Sequence, residues 1–219
     1  MFPRAGRFSD QSPNLTAGVH ATTWTSKTRH SRGSTYNGKH RFEHWYRDNQ
    51  VYFITARCWD RYGAFVTEAA KAIFWDRFEF HTKQAQFTPW VTSLTPNHYH
   101  TLGYCKIGQN FGVMMQRIHG SVAKLVNDLL PARRSPFWGQ PSGEDYFDGC
   151  IRDEKQCRLA YRYTLSQSVR HGLCRDWRDY PHTRVDVELD VGVRRALELH
   201  AFLEGVPYKR YQKRRERGS

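Results

Sequence analysis

The sequence predicts an α+β fold of the ferredoxin-like kind: a βαββαβ antiparallel sheet with helices on one face, plus a C-terminal tyrosine-bearing helix. Three observations predict it. Residues 50–58 (QVYFITARC) are apolar on both faces, as in an interior strand, and residues 87–94 (FTPWVTSL) read as a second strand. Thr95-Pro96-Asn97 is turn chemistry that returns the chain into a partner strand, His98 to Cys105. Helical periodicity occupies the stretches on either side of that hairpin.

The elements follow in order. Residues 1–40 are rich in Ser, Thr, Gly, Arg and His with little apolar periodicity, so they read as a flexible basic N-terminal segment. A domain over residues 41–180 begins with the interior strand at Gln50. Thr67 offers an N-cap, and Ala70, Ile73, Phe74, Phe78 and His81 recur at helical spacing to about Lys83. Pro89, which has no N–H to donate, forecasts that the second strand starts irregularly or at an edge. A long helix is expected from Gln109 to Leu130, buried along Phe111, Met114, Met115, Ile118, Val122, Leu125, Val126 and Leu129 and stopped by Pro131. One or two short strands fall within 137–151. Asp153 opens a third helix reaching about Arg170, with Gly172 as terminator. Residues 181–219 form a helical and basic tail: a helix from Val191 to Leu203, then Lys209, Arg210, Lys213, Arg214, Arg215 and Arg217.

Composition narrows the class. The 219 residues hold seven Trp, twelve Tyr and thirteen Phe, enough for one real core. A formal net charge of +13 favours a polyanionic partner, most simply nucleic acid. No stretch approaches the ~18 consecutive apolar residues of a membrane span, and no secretory signal is visible at the N-terminus. Five cysteines (Cys58, Cys105, Cys150, Cys157, Cys174) contain no CxxC pair, and their odd number argues against a disulfide framework. The expectation is a reduced, cytoplasmic protein without membrane contact.

His98 and His100 flank Tyr99 at the head of the hairpin strand, so both project to one face and could grip one divalent cation. The other nine histidines show no comparable spacing. On the third helix Ala160, Tyr161, Thr164, Leu165 and Ser168 make the packing side. Gln156, Tyr163, Gln167 and Arg170 share the opposite, polar side. Tyr161 therefore reads as core and Tyr163 as the reactive candidate. Arg117, Lys124, Arg133 and Arg134, on or just after the long helix, join Arg170 as candidate contacts to a nucleic-acid backbone. Trp138, Tyr146 and Trp177 could stack on bases, but such residues are more often packed inside.

The order of elements, the PNHYH segment and YTLSQSVRHGL together resemble the single-strand-specific tyrosine (HUH) transposases of insertion sequences, most nearly the branch associated with repetitive extragenic palindromes (REP). The resemblance spans about residues 41–180. Where the family often has Met-Pro-Asn-His, this chain has Thr95-Pro96-Asn97-His98, and Tyr99 replaces the usual aliphatic residue between the histidines. Where the REP branch often has Asn-Pro-Val, this chain has Gln167-Ser168-Val169. The resemblance implies Tyr163 as nucleophile, and His98, His100 and Gln167 as ligands of Mg²⁺ or Mn²⁺. It also implies single-stranded or hairpin DNA as partner, a homodimer, and no organic cofactor. The activity implied is cleavage and rejoining of single-stranded DNA through a 5′-phosphotyrosine link, in DNA transposition. Whether the tyrosine acts within its own chain or across a dimer stays open. The alternative is a non-catalytic DNA-binding protein derived from such a transposase. An HxH oxygenase would need a carboxylate ligand and a barrel of many more strands, and a zinc finger would need paired cysteines.

Overall fold

Eight residues from Gln50 to Arg57 form β1, an interior strand of the sheet. The computed structural model describes residues 47–139, 144–151 and 153–204, with side chains as far as Ala196. The expected N-terminal segment and the basic cluster from Lys209 to Arg217 lie outside the described residues. The chain divides into units Met1–Glu43 and His44–Ser219, and everything described belongs to the second.

After β1 come α1 (Glu68–Ala85), β2 (Phe87–Leu94), β3 (His98–Cys105), α2 (Gln109–Asn127) and β4 (Tyr146–Cys150). Then follow α3 (Glu154–Leu165), the single turn α4 (Gln167–Arg170), β5 (Thr183–Val185) and α5 (Leu189–Glu204). The sheet is antiparallel with order β4-β1-β3-β2-β5. Its first four places are the split βαβ order expected from the sequence, and β5 extends the β2 edge. Thr67 does cap α1, its Oγ1 accepting from the Ala70 N–H at 3.2 Å. The pairing of β2 with β3 shifts register between Pro89 and Val91, where proline lacks the ladder donor. Gly103 faces that irregularity, and a Cβ there would stand 2.5 Å from the Phe87 ring, so only glycine fits.

Strand alternation divides the core in two. Tyr52, Ile54 and Ala56 of β1 and Tyr99 of β3 face α1 and α2, within a cluster that includes Phe65, Phe74, Phe78, Phe111, Met114, Met115 and Ile118. Val51 and Phe53 of β1 and Leu102 of β3 face the other way, against Cys157, Ala160 and Tyr161 of α3 and Val193 of α5. The tyrosine helix thus covers the sheet face opposite α1 and α2. Tyr161 is core, as expected, with its hydroxyl donating to Val187 O at 3.0 Å.

Three expectations need correction. The α2 stripe does not include Leu125 and Leu129, which are exposed; the helix ends at Asn127 and His119 takes an inward place. His119 can do so because the Tyr99 hydroxyl meets its Nε2 at 3.1 Å and the Trp138 ring stacks on it at 4.5 Å. The third helix is not continuous to Arg170 but is interrupted at Ser166. There the side chains of Ser166 and Gln167 both donate to Tyr163 O, at 2.9 and 3.0 Å, competing with the helical backbone for that acceptor. Third, the tail contributes a strand as well as a helix. At three residues β5 is too short to show a period, and side chains from elsewhere hold it. The Tyr180 hydroxyl donates to Leu94 O, Trp75 Nε1–H donates to His182 Nδ1, and His182 Nε2 bonds Glu68. All five cysteines are free thiols.

Candidate active site

The head of β3 and the end of α3 meet on the α3 face of the sheet. The His98 and His100 rings lie 5.0 Å apart, and the Tyr163 ring lies 5.1 Å from His100 in a T-shaped contact. Phe53 floors the site, stacked on His100 at 5.7 Å and edge-on to Tyr163 at 6.0 Å. All these groups belong to one chain. Tyr163 is half-buried beside them, whereas both histidines are buried.

The hydrogen bonds at His98 decide its tautomer. Asn97 Nδ2 donates to Arg61 O at 2.9 Å, because a carbonyl can only accept, and this orients the amide. Asn97 Oδ1 therefore faces His98 Nδ1 at 2.6 Å and must accept from it. Thr95 agrees: its hydroxyl donates to His98 O at 2.9 Å, which leaves Oγ1 to accept from the same Nδ1–H at 2.8 Å. With the proton on Nδ1, Nε2 is the His98 atom that carries the lone pair a cation would need. His100 has a similar neighbour, Thr55 Oγ1 at 2.7 Å from Nδ1. Burial holds its pKa well below the ordinary imidazole value, with the neighbouring imidazoles of His98 and His171 and the guanidiniums of Arg57 and Arg170 acting in the same direction. A neutral His100 is the form that can ligate a metal.

Gln167 is buried one turn after Tyr163, away from the exposed polar side expected of it. Its amide nitrogen is engaged by Tyr163 O, so its oxygen is the donor it could offer a cation. Among the described residues no group of three or more His, Cys, Asp or Glu is placed to hold a metal ion. Two imidazoles and one amide oxygen are the donor set this site could offer a divalent ion, and the two nitrogens should suit Mn²⁺ at least as well as Mg²⁺.

Of the candidate backbone contacts, Arg170 reaches the site, its guanidinium 5.2 Å over the Tyr163 ring. Arg117 and Lys124 are exposed on α2, which packs on the opposite sheet face. Arg133 and Arg134 follow that helix, and Arg134 lies 3.8 Å over the Tyr62 ring. Trp138 is buried in the core. Two groups at the site escape sequence reasoning. Arg57 is the register partner of His98, so it projects to the same face. Nothing in the sequence pairs those two positions. His171 stands with its ring 4.8 Å from His98; its place four residues after Gln167 was a usable signal.

No protein-family model matches the chain, and no curated protein matches it. A solved structure does, that of a REP-associated tyrosine transposase bound to a REP hairpin. It superposes with a TM-score of 0.55 at 18% identity, over 66% of this chain and 82% of that one. The fold is that of a REP-associated tyrosine transposase. A second structure, described as a transposase from Deinococcus radiodurans R1, aligns over 64% of this chain and 98% of its own at 14% identity. Its TM-score of 0.37 adds nothing to the first.

Proposed function

We propose that the protein is a metal-dependent transposase that cleaves and rejoins single-stranded DNA through a 5′-phosphotyrosine link at Tyr163. The observation that carries this reading is the approach of the Tyr163 ring to 5.1 Å from His100, with both histidines presented on one strand face. The shared fold supports it, as does the hairpin DNA bound to the similar protein.

His98, His100 and Gln167 would hold a divalent cation, Mg²⁺ or Mn²⁺, which would supply polarisation of the scissile phosphate and charge stabilisation at the departing oxygen. The protein's own residues do the rest. Asn97, Thr95 and Thr55 orient the two rings. Arg170 and Arg57 bring positive charge to where a phosphate would sit. The Tyr163 hydroxyl oxygen attacks phosphorus and gives up its proton, while the phosphorus–O3′ bond breaks and the 3′ oxygen takes up a proton. The product is a phosphodiester from Tyr163 to the 5′ end, and attack by another 3′-OH reverses the step and rejoins strands. No net bond energy is lost, so no nucleotide cofactor is required. Because Tyr163 and the histidines meet within one chain, a homodimer would carry two complete sites.

The test is incubation of the protein with labelled hairpin oligonucleotides in Mn²⁺ or in EDTA, followed by denaturing electrophoresis. A metal-dependent protein–DNA adduct lost in Tyr163→Phe is the expected result. DNA binding without any adduct across a panel of hairpins would establish the non-catalytic alternative instead.

A further inference from the structure

One surface beside the site has no part in the proposed chemistry. Beyond the end of β1 the chain makes a tight 3₁₀ turn, Trp59–Arg61, in which Asp60 and Arg61 both adopt left-handed φ values of 51° and 54°. Such backbone is costly for non-glycine residues and persists only where surrounding contacts impose it. The contacts are present. Trp59 N–H donates to Phe137 O at 2.8 Å, Gly139 N–H donates to Arg57 O at 2.9 Å, and Cys58 bridges Trp138. The result is a large indole left 40% exposed on a rigid mount.

A preorganised cation adjoins it. Asn127, itself buried, accepts from Arg134 N–H at 2.7 Å and donates to Arg134 O at 3.1 Å, pinning that backbone from both sides. The Arg134 guanidinium carbon then sits 3.8 Å over the ring of Tyr62, the residue that closes the turn. A guanidinium stacked by its face keeps its N–H edge for a phosphate. Arg61 and Arg133 are exposed nearby in sequence, against the single acid of the turn, Asp60. The surface also touches the site. Asn97 bonds Arg61 O through Nδ2 and His98 Nδ1 through Oδ1, so one side chain joins the turn to the histidine.

We propose that the Trp59–Tyr62 turn with Arg134 is a single-strand platform, on which an unpaired base next to the cleaved phosphate stacks on Trp59 while Arg134 holds a backbone phosphate. An exposed flat ring beside fixed cations is the chemistry by which single strands are held without base pairing. The inference rests on the proposed function for its ligand class only.

The experiment measures binding of a fluorescent oligo-dT to the full chain by anisotropy across a salt series, for wild type, Trp59→Ala, Trp59→Phe and Arg134→Ala. Loss of one base stack weakens binding about 5- to 150-fold, so that is expected for Trp59→Ala, with an unchanged salt slope and near-complete recovery in Trp59→Phe. Arg134→Ala should flatten the slope by about 0.7. Binding of Trp59→Ala within twofold of wild type, or an equal loss in Trp59→Phe, overturns the platform. A DNA-side scan guards against a folding defect. Replacing nucleotides one at a time by abasic residues should reveal a position that costs wild type affinity and costs Trp59→Ala none; if no position behaves so, the platform is wrong. Parallel adduct assays separate the two readings. Trp59-dependent binding without adduct leaves the platform standing and removes the nuclease, while adduct formation indifferent to Trp59 does the reverse.

Discussion

Each face of the sheet buries a histidine, and the two are opposite in character. On the α1 and α2 face, His119 is enclosed by rings, bonded to the Tyr99 hydroxyl and stacked on Trp138, and burial alone lowers its pKa to about 3. On the α3 face, His100 is equally enclosed, but there burial is joined by the neighbouring His98, His171, Arg57 and Arg170, which lower its pKa further. Burying a polar ring is not a sign of function, since His119 is a satisfied core group. Two guanidiniums and two further imidazoles gathered around one ring are different. Such a gathering of basic groups is the environment that the proposed function requires around a phosphate. Tyr99 and its neighbours make the contrast within three residues, as one side chain goes to the aromatic core and two go to the site.

Substitutions should break the comparison in a definite order. His100→Ala is expected to abolish the Mn²⁺-dependent adduct, whereas a folded His119→Leu protein should form it at close to the wild-type level on the same denaturing gel. Thr55→Val removes the partner of His100 Nδ1, and loss of such a support costs about 10- to 100-fold in metal affinity. A Mn²⁺ titration followed by water-proton relaxation reads that loss without recourse to activity. His119→Leu strands the Tyr99 hydroxyl in the core and should cost about 1–3 kcal/mol in urea unfolding. Adding Tyr99→Phe should restore part of that, because both partners of the bond are then apolar.

The pH dependence sharpens the same point. Folded His119 titrates near 3 against an ordinary 6.5, so between those values the unfolded chain binds the extra proton. Stability is therefore full above about 6.5 and declines as pH falls toward 3, and His100 acts in the same direction. The Tyr99→Phe/His119→Leu pair should lessen that decline in thermal melts while leaving the contribution of His100. The smallest effects concern the outer cations. Arg170→Ala should reduce the salt slope of single-strand binding by about 0.7, and Arg117→Ala, on the far side of the sheet, should change it less.

Much of the layout is legible in the sequence. Strands β2 and β3 begin and end where their apolar runs and the Thr95-Pro96-Asn97 turn place them. The caps at Thr67 and Asp153 act as read, the latter accepting from Gln156 N–H at 2.7 Å. The helical stripe of α2 was misread in its last turns because apolar spacing cannot tell that the helix stops at Asn127. Nor can it tell that a histidine inside would find a tyrosine hydroxyl. The candidate site was half legible. The strand period brings His98 and His100 to one face, and the helix period puts Gln167 a turn beyond Tyr163.

What the sequence determined by itself is local: the alternation that sends two histidines one way and Tyr99 the other, the capping residues, the turn, and the excess of positive charge. These depend on neighbours a few residues apart, where backbone geometry is periodic. The tertiary structure alone decided which face α3 covers, that Arg57 stands opposite His98, that His171 reaches it, and that Asn97 fixes its tautomer through Arg61 O. Those are contacts between segments remote in the chain, set by strand register and by the packing of one layer on another, and no short-range pattern encodes them.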